Sequence, residues 1–334
     1  MKAVIFPEAR RYSIKDIAIP KISNDEVLLK NSYAGLCGTD IHIFKGEYYS
    51  RYPLIPGHEF SGIIVDKGEN VKNFEKGDHV VVQPNISCNK CFYCKKNEQN
   101  FCEVMKSYGV NINGGFAEYS KVLASNLYKI DGLNLKEAAI LEPLSCVIYG
   151  INSIKINPGD RALIFGAGPI GLLILQLLKV KGASSITVMD INKRRKDIVM
   201  AFGSDEFLSN DENLDKNLRS KSKRSYDILI DATGKPSVCE KLIEYADNRA
   251  RLLFYGVCPK DSKISIDPYQ IFRKGISIYG AFSLNNTMPL AIGLIKDKKI
   301  NVEDLISHEL ELNEFAVALS IAEKGDCLKI LFKC

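Results

Sequence analysis

The chain contains no run of five like charges, no apolar stretch long enough to cross a bilayer and no low-complexity linker. It also lacks a self-similar period in the range of about 20 to 50 residues that marks repeat architectures. Each absence removes a class of function. Its 45 basic and 40 acidic residues leave a net charge of +5 scattered along 334 positions, without the basic arm or stripe of a nucleic-acid binder. The longest apolar segment, PIGLLILQLLKV from Pro169 to Val180, is broken at Gln176 and falls short of the roughly 18 residues of a spanning helix. It reads as a buried helix. At the N-terminus the apolar run Ala3–Phe6 meets Pro7 and Glu8, too early for a secretion-signal core. The expectation is a cytoplasmic protein with neither a membrane nor a nucleic-acid partner. With 46% hydrophobic and 25% charged residues, the composition is that of a globular protein long enough for two domains.

Ten cysteines in a reducing compartment do not read as a disulfide framework. Four of them, Cys88, Cys91, Cys94 and Cys102, crowd into the segment SCNKCFYCKKNEQNFC, so one loop can wrap four thiolates around one ion. Four thiolates suit tetrahedral zinc and leave no open position for a substrate, which makes this a structural site. The spacing overlaps that of iron–sulfur runs but lacks the proline that usually follows the fourth cysteine. A nucleic-acid-binding zinc module would need a basic stripe or a finger-like histidine pair, and neither is there.

Up to about residue 145 the sequence runs in short β-type segments broken by glycine: AVIF, EVLLKNSYA, HEFSGIIVDKG, DHVVVQP and GGFAEYSKVL. From Pro158 the texture changes to a buried strand, a glycine turn, an apolar helix ending at Gly182 and a second strand ending in an acid, a complete βαβ unit. Helix NKRRKDIVMAFG, strand YDILIDATG, helix SVCEKLIEYAD and strand ARLLFYGV continue the alternation and predict a doubly wound sheet. The tail holds a helix near MPLAIGLIKDK and a last strand LKILFK that is expected to rejoin the first domain.

GAGPIG sets Gly166, Gly168 and Gly171 in the GxGxxG spacing between strand and helix. There the glycines permit a tight turn, let amides approach a pyrophosphate and let helix and strand pack closely. Asp190 ends the next strand, nineteen residues beyond Gly171, where an acid bonds the adenosine ribose hydroxyls and disfavours a 2′-phosphate. NAD is the expected cofactor, although Lys193, Arg194 and Arg195 offer charges that suit the phosphate of NADP. Pro169 and Ile170 in the turn and Gly256 after a later strand complete the expected cofactor-binding set. A second, open metal site is sought among Cys37 in GLCGTDIH and His58 and Glu59 in PGHEF, with Asp40 as an outer partner, and Glu142 and Cys146 in ILEPLSC. His79 and His308 have no such context and read as structural.

The motifs GLCGTDIH, PGHEFSG, the four-cysteine segment, GGFAEY, LEPLSC, GAGPIG and VMDINK, in this order and spacing, resemble the zinc-dependent medium-chain alcohol and polyol dehydrogenases over nearly the full length. The resemblance implies an α/β protein: a GroES-like β-rich catalytic domain, residues 1–147 and 284–334 with the zinc lobe at 87–102, and a Rossmann doubly wound parallel sheet at 148–283. It further implies two zinc ions per subunit, NAD, reversible hydride transfer and assembly as a homotetramer or homodimer. By resemblance Cys37 and His58 bind the catalytic zinc. A cysteine at the position of Cys146 completes the set in the alcohol branch, and a glutamate such as Glu59 or Glu142 in the polyol branch. The EPL context favours Cys37, His58, Glu59 and Glu142. Thr39 matches the hydroxyl that takes the alcohol proton, and His42 the far end of a relay to solvent. Tyr48, Tyr49 and Phe116 are candidate pocket residues, though aromatics in this number serve equally as packing. Where sorbitol dehydrogenases carry an arginine this chain has Ser283, which argues against sorbitol itself and leaves another polyol, a sugar or a phosphorylated polyol. A simple alcohol or L-threonine dehydrogenase and a catalytically silent relative are the alternatives.

Overall fold

A computed structural model describes residues 1–209, 226–325 and 327–334. The chain divides into two compact units, Met1–Ser145 with Asn285–Lys298 and Val302–Cys334, and Cys146–Leu284 with Lys299–Asn301. The sequence placed these boundaries at 147/148 and 283/284 and left residues 299–301 in the first unit. Gln176 explains their placement in the second. This polar residue in the middle of the apolar helix Pro169–Val180 is buried, and its amide donates to the Asn301 carbonyl (2.9 Å) and accepts from the Asn301 amide (2.7 Å). A buried amide must satisfy both ends, and this one does so by holding a piece of the chain's tail.

The first unit is built on strand Glu26–Leu36, whose alternating Val27 and Leu29 are fully buried. On one side it pairs with Lys329–Lys333 and on the other with Glu59–Lys67, and it also takes up Tyr119–Leu123, all antiparallel. The sheet continues through His79–Val82 to Leu127–Lys129, and Ile306–Glu311 closes the far edge beside Lys329–Lys333. The final strand therefore lies inside the sheet, in register with Leu36↔Ile330. Beneath it Phe6, Phe116, Phe315 and Phe332 pack with ring centroids 4.9 to 6.1 Å apart, the offset and edge geometry that aromatic quadrupoles prefer. Phe116 is thus a core residue with no exposed surface, not a wall of a substrate pocket. Tyr49 is 81% exposed.

The second unit is a six-stranded, all-parallel sheet in the order Glu206–Ser209, Ser185–Asp190, Arg161–Phe165, Tyr226–Asp231, Ala246–Phe254, Ser277–Gly280. Helices Pro169–Val180, Lys196–Ala201 and Pro236–Tyr245 link its strands, the crossover that parallel pairing requires. The order reverses between Arg161–Phe165 and Tyr226–Asp231, so the carboxyl ends of these two strands flank the switch point where such sheets bind nucleotides.

Candidate metal and nucleotide sites

Cys37 ends the central strand of the first unit and starts helix Gly38–Lys45. Asp40, 1% exposed, locks this corner. One carboxylate oxygen accepts from the Cys37 amide (2.9 Å); the other accepts from the Gly57 amide (3.2 Å) and faces His58 Nδ1 at 3.3 Å. That pairing leaves the other ring nitrogen of His58 for a metal, the arrangement in which an outer carboxylate fixes a ligating histidine. Donor atoms of Cys37, His58 and Glu59 lie within 4.8 Å of one another. Burial opposes charge on His58, but Asp40 and Cys37 outweigh it and hold its pKa well above the ordinary value. A soft thiolate, an imidazole and a carboxylate in a half-buried corner fit zinc.

Glu59, also 1% exposed, is fixed by a residue the sequence reading missed. Both of its carboxylate oxygens accept from Lys329 Nζ, at 2.9 and 2.7 Å, and the same ammonium donates to the Leu36 carbonyl at 3.3 Å. Gly35 makes the space, for a Cβ there would stand 2.3 Å from Glu59 Oε2. Burial disfavours the charged form of Lys329, yet Glu59 and Cys37 raise its pKa above the usual lysine value. The signal was legible in principle: a lysine inside LKILFK, on a strand predicted to rejoin the sheet, is carried into a core where only an acid can receive it.

Glu142 is buried at the start of helix Leu141–Ser153 and lies near enough to add to the field on Lys329, but it is not among the three donors already gathered around Cys37. Cys146 follows one turn later on the same helix face and belongs to the second unit. Thr39 sits in the first turn of Gly38–Lys45, two residues past Cys37. On that helix His42 turns Nδ1 to Glu47 Oε2 at 2.8 Å and keeps about a third of its side chain exposed. Tyr48 feels both metal-site residues: burial raises the pKa of its phenol, His58 lowers it and Cys37 raises it.

In the lobe, the sulfurs of Cys88, Cys91, Cys94 and Cys102 all lie within 4.8 Å of one another, with Cys88 and Cys94 at 4.0 Å. Sulfurs at tetrahedral corners about 2.3 Å from zinc stand about 3.8 Å apart, so the set fits the ion. Amides of Cys91 and Cys88 point at the sulfurs of Cys88 and Cys102, each at 3.3 Å. Amide donation from Lys90 and Cys91 brings the Cys88 thiol down to about 6, while burial pushes Cys94 up to about 12. Asn97 and Gln99 tie the lobe to Asn285 and Asn286 through four hydrogen bonds of 2.6 to 3.2 Å.

In the second unit Gly166 has φ +104°, and Gly168 caps helix Pro169–Val180, with Pro169 at its first position. A Cβ on Gly171 would stand 1.8 Å from the Gly166 carbonyl. Gly171→Ala is expected to unfold the turn and abolish nucleotide binding, measured as loss of NADH fluorescence enhancement; unchanged binding would show that the helix shifts freely. The buried Asp190 accepts from the amides of Ala167 (2.6 Å) and Asn192 (2.8 Å) and faces Arg195 at 3.4 Å. A carboxylate offers about four lone-pair positions, which leaves room for ribose hydroxyls. Gly256 follows strand Ala246–Phe254 and packs so tightly that a Cβ would reach 2.0 Å from the Gly234 amide nitrogen. Among the described residues no helix is long and apolar enough to cross a membrane.

Residues 23–132 match the family model of the alcohol dehydrogenase GroES-like domain and residues 169–297 that of the zinc-binding dehydrogenase. D-arabinitol dehydrogenase 1 of Uromyces fabae is 36% identical over 338 residues, spanning 100% of this chain and 97% of its own. D-altritol 5-dehydrogenase of Agrobacterium fabrum is 36% identical over 319 residues, 94% of each chain. A chain from Sinorhizobium meliloti 1021 solved bound to NADP superposes with a TM-score of 0.96 at 27% identity, covering 100% of this chain and 99% of its own. The alcohol dehydrogenase rspB of Escherichia coli CFT073, complexed with NADH, gives 0.94 at 30% identity with the same coverage.

Proposed function

Because the chain belongs to the zinc-binding dehydrogenase family, we propose that it interconverts a secondary alcohol of a polyol or sugar alcohol and the corresponding ketone, with NAD as hydride carrier. The observation that carries this reading is the buried Cys37–His58–Glu59 corner with Asp40 behind it, on a chain 36% identical to two sugar-alcohol dehydrogenases. Cys37 and His58 hold the catalytic metal, with Glu59 and Glu142 as its carboxylates, and the lobe cysteines hold the structural one. A zinc ion in that corner supplies Lewis acidity that makes an alcohol ionisable near neutral pH. Thr39 takes the substrate's hydroxyl proton, and His42, steadied by Glu47 and open to water, passes it on. The glycine turn at Gly166–Gly171 and Asp190 would hold NAD, which would supply the hydride acceptor.

Asp190 supports NAD over NADP, and Arg195 beside it is the feature a 2′-phosphate would use. Asp190→Ala is expected to lower the NAD-to-NADP ratio of kcat/KM by about tenfold or more, which is 1.4 kcal/mol or more; an unchanged ratio overturns the assignment. The reading as a whole is tested by initial rates of NADH and NADPH formation on polyols, phosphorylated polyols, simple alcohols and threonine in zinc-replete buffer. Turnover confined to simple alcohols would move the third ligand to Cys146.

The chain self-associates in this reading, as a homodimer or homotetramer. Support comes from the sheet edge Ser277–Gly280, where Ile278 is exposed, and from exposed Tyr269, Phe272 and Phe282 on neighbouring segments. An uncovered edge with apolar surface is a pairing template. Light scattering behind a sizing column that returned only monomer would refute it. Localisation in the cytoplasm agrees with ten cysteines, none in a disulfide among the described residues.

A further inference from the structure

The described residues hold a third cluster of metal-type donors, Asp231, Cys239 and Cys258, with ligand atoms within 4.8 Å of one another. It lies in the second unit and shares no residue with the two metal sites. Asp231, fully buried at the carboxyl end of strand Tyr226–Asp231, is committed to the backbone. Its carboxylate accepts from the Thr233 amide (2.8 Å), the Thr233 hydroxyl (2.6 Å) and the Gly234 amide (3.1 Å). Its carbonyl accepts from the amides of Tyr255 (3.0 Å) and Gly256 (2.8 Å). The carboxylate is thus the fastener of two loops and not a spare ligand, which leaves the two thiols. Cys239, on helix Pro236–Tyr245, is buried and donates to Asp231 Oδ2 at 3.5 Å; Cys258, two residues past Gly256, is partly exposed, and the sulfurs stand 3.9 Å apart.

We propose that Cys239 and Cys258 form a peroxide-sensitive dithiol whose oxidation to a disulfide lowers the affinity for the nicotinamide cofactor. Division of labour follows from burial. Cys239 is buried while Cys258 is partly exposed, so the Cys258 sulfur is the one that meets an oxidant; burial, then Asp231 and Cys258, raise the pKa of the Cys239 thiol, which makes it the slower, resolving partner. Cys258 sulfur attacks hydrogen peroxide, the O–O bond breaks, and after protonation of the departing hydroxide a sulfenic acid and one water result. Cys239 sulfur then attacks that of Cys258; the S–O bond breaks and the hydroxide leaves as a second water with the Cys239 proton. Two thiols give up two electrons and one peroxide takes them.

The new bond must shorten the sulfur separation to about 2.05 Å, drawing Cys258 toward the helix by nearly half of the present gap. The part of that movement that side-chain rotation does not take up falls on Val257 and Gly256, and Gly256 has no slack against Gly234. Thr233 in turn abuts the nucleotide turn, its Cγ2 being 3.0 Å from where a Gly166 Cβ would stand. The strain therefore reaches both loops at the switch point of the sheet.

This rests on the cofactor reading above, and the experiment separates the two. Reduced, zinc-loaded protein is first titrated with NADH by fluorescence; absence of binding there sinks the cofactor reading itself. Stoichiometric hydrogen peroxide is expected to remove about 2 Da, to link the Cys239 and Cys258 peptides, and to weaken NADH binding about fivefold or more, with full recovery in dithiothreitol. Cys258→Ser should neither link nor lose affinity under the same treatment. Because Cys258 is partly exposed, this variant is preferred to one at buried Cys239. A reduced protein that binds NADH but yields no linked peptide, or a linked protein of unchanged affinity, overturns the proposal.

Discussion

Replacing Lys329 by methionine is expected to strip the Cys37–His58 corner of its metal and to lower kcat/KM about a hundredfold or more, while the four-cysteine lobe keeps its ion. The corner holds Cys37, Asp40 and Glu59, and Glu142 is near enough to add to the field on Lys329. A divalent ion and the Lys329 ammonium answer most of that charge together. With the ammonium gone, the Glu59 carboxylate loses both hydrogen bonds and, at 1% exposure, is left a buried group without its partner. Breaking a buried pair by removing one partner costs about 3–5 kcal/mol, and a factor of a hundred in rate is about 2.7 kcal/mol. Metal per chain, read by mass spectrometry, should fall from two ions to one. A visible spectrum of the cobalt-substituted protein should lose the bands of the Cys37 site and keep those of the lobe. Lys329→Arg should restore much of both, since a guanidinium reaches the same two oxygens. If Lys329→Met merely lowered the melting temperature and kept two ions and its activity, Lys329 would be a packing residue.

The second large effect belongs to the lobe. Cys94→Ser is expected to release the structural ion, drop the unfolding midpoint by more than about 5 °C and abolish activity at assay temperatures where the parent is stable. Apparent free energies of about 10–16 kcal/mol tie such ions to folding, and in a chain of this length each kcal/mol is worth roughly 2–4 °C or less. The lobe cannot fray alone, because Asn97 and Gln99 are bonded to Asn285 and Asn286, just before helix Met288–Lys296. Differential scanning calorimetry with metal analysis checks it. A variant that lost one ion without a shift in the midpoint would show the lobe to be an accessory.

Much of this was legible in the sequence where a local rule acts alone. Cysteine spacing announced the lobe, the glycine spacing announced the turn at Gly166, and strand-helix alternation announced the parallel sheet. Strand Ser277–Gly280 escaped because only four residues form it, at an edge, with too little burial to print a period. Phe116 stayed open between pocket and packing because an aromatic beside glycines looks the same in a pocket wall and in a core; only the packing of Phe315 and Phe332 against it decides. Lys329 was missed for a related reason. Its role depends on an acid 270 positions earlier, and a pairing at that distance leaves no trace in local periodicity. The Asp190 reading stands on position, whereas its engagement with Ala167 and Arg195 is visible only in three dimensions.

The last strand of the first unit, Lys329–Lys333, lies between Glu26–Leu36 and Ile306–Glu311, and this has a bearing on how the molecule is made. A ribosome emits residues in order at about 5–20 per second, so the second unit is almost wholly out while the first still lacks the strand beside its central one. During that interval Glu59 is a buried acid in waiting, and the edge of Glu26–Leu36 stands open to any partner. The parallel sheet can form early, as a finished companion. The metal corner cannot close until Lys329, 270 positions after Glu59, leaves the tunnel, which makes its assembly a late event of synthesis and a moment when a chaperone would matter.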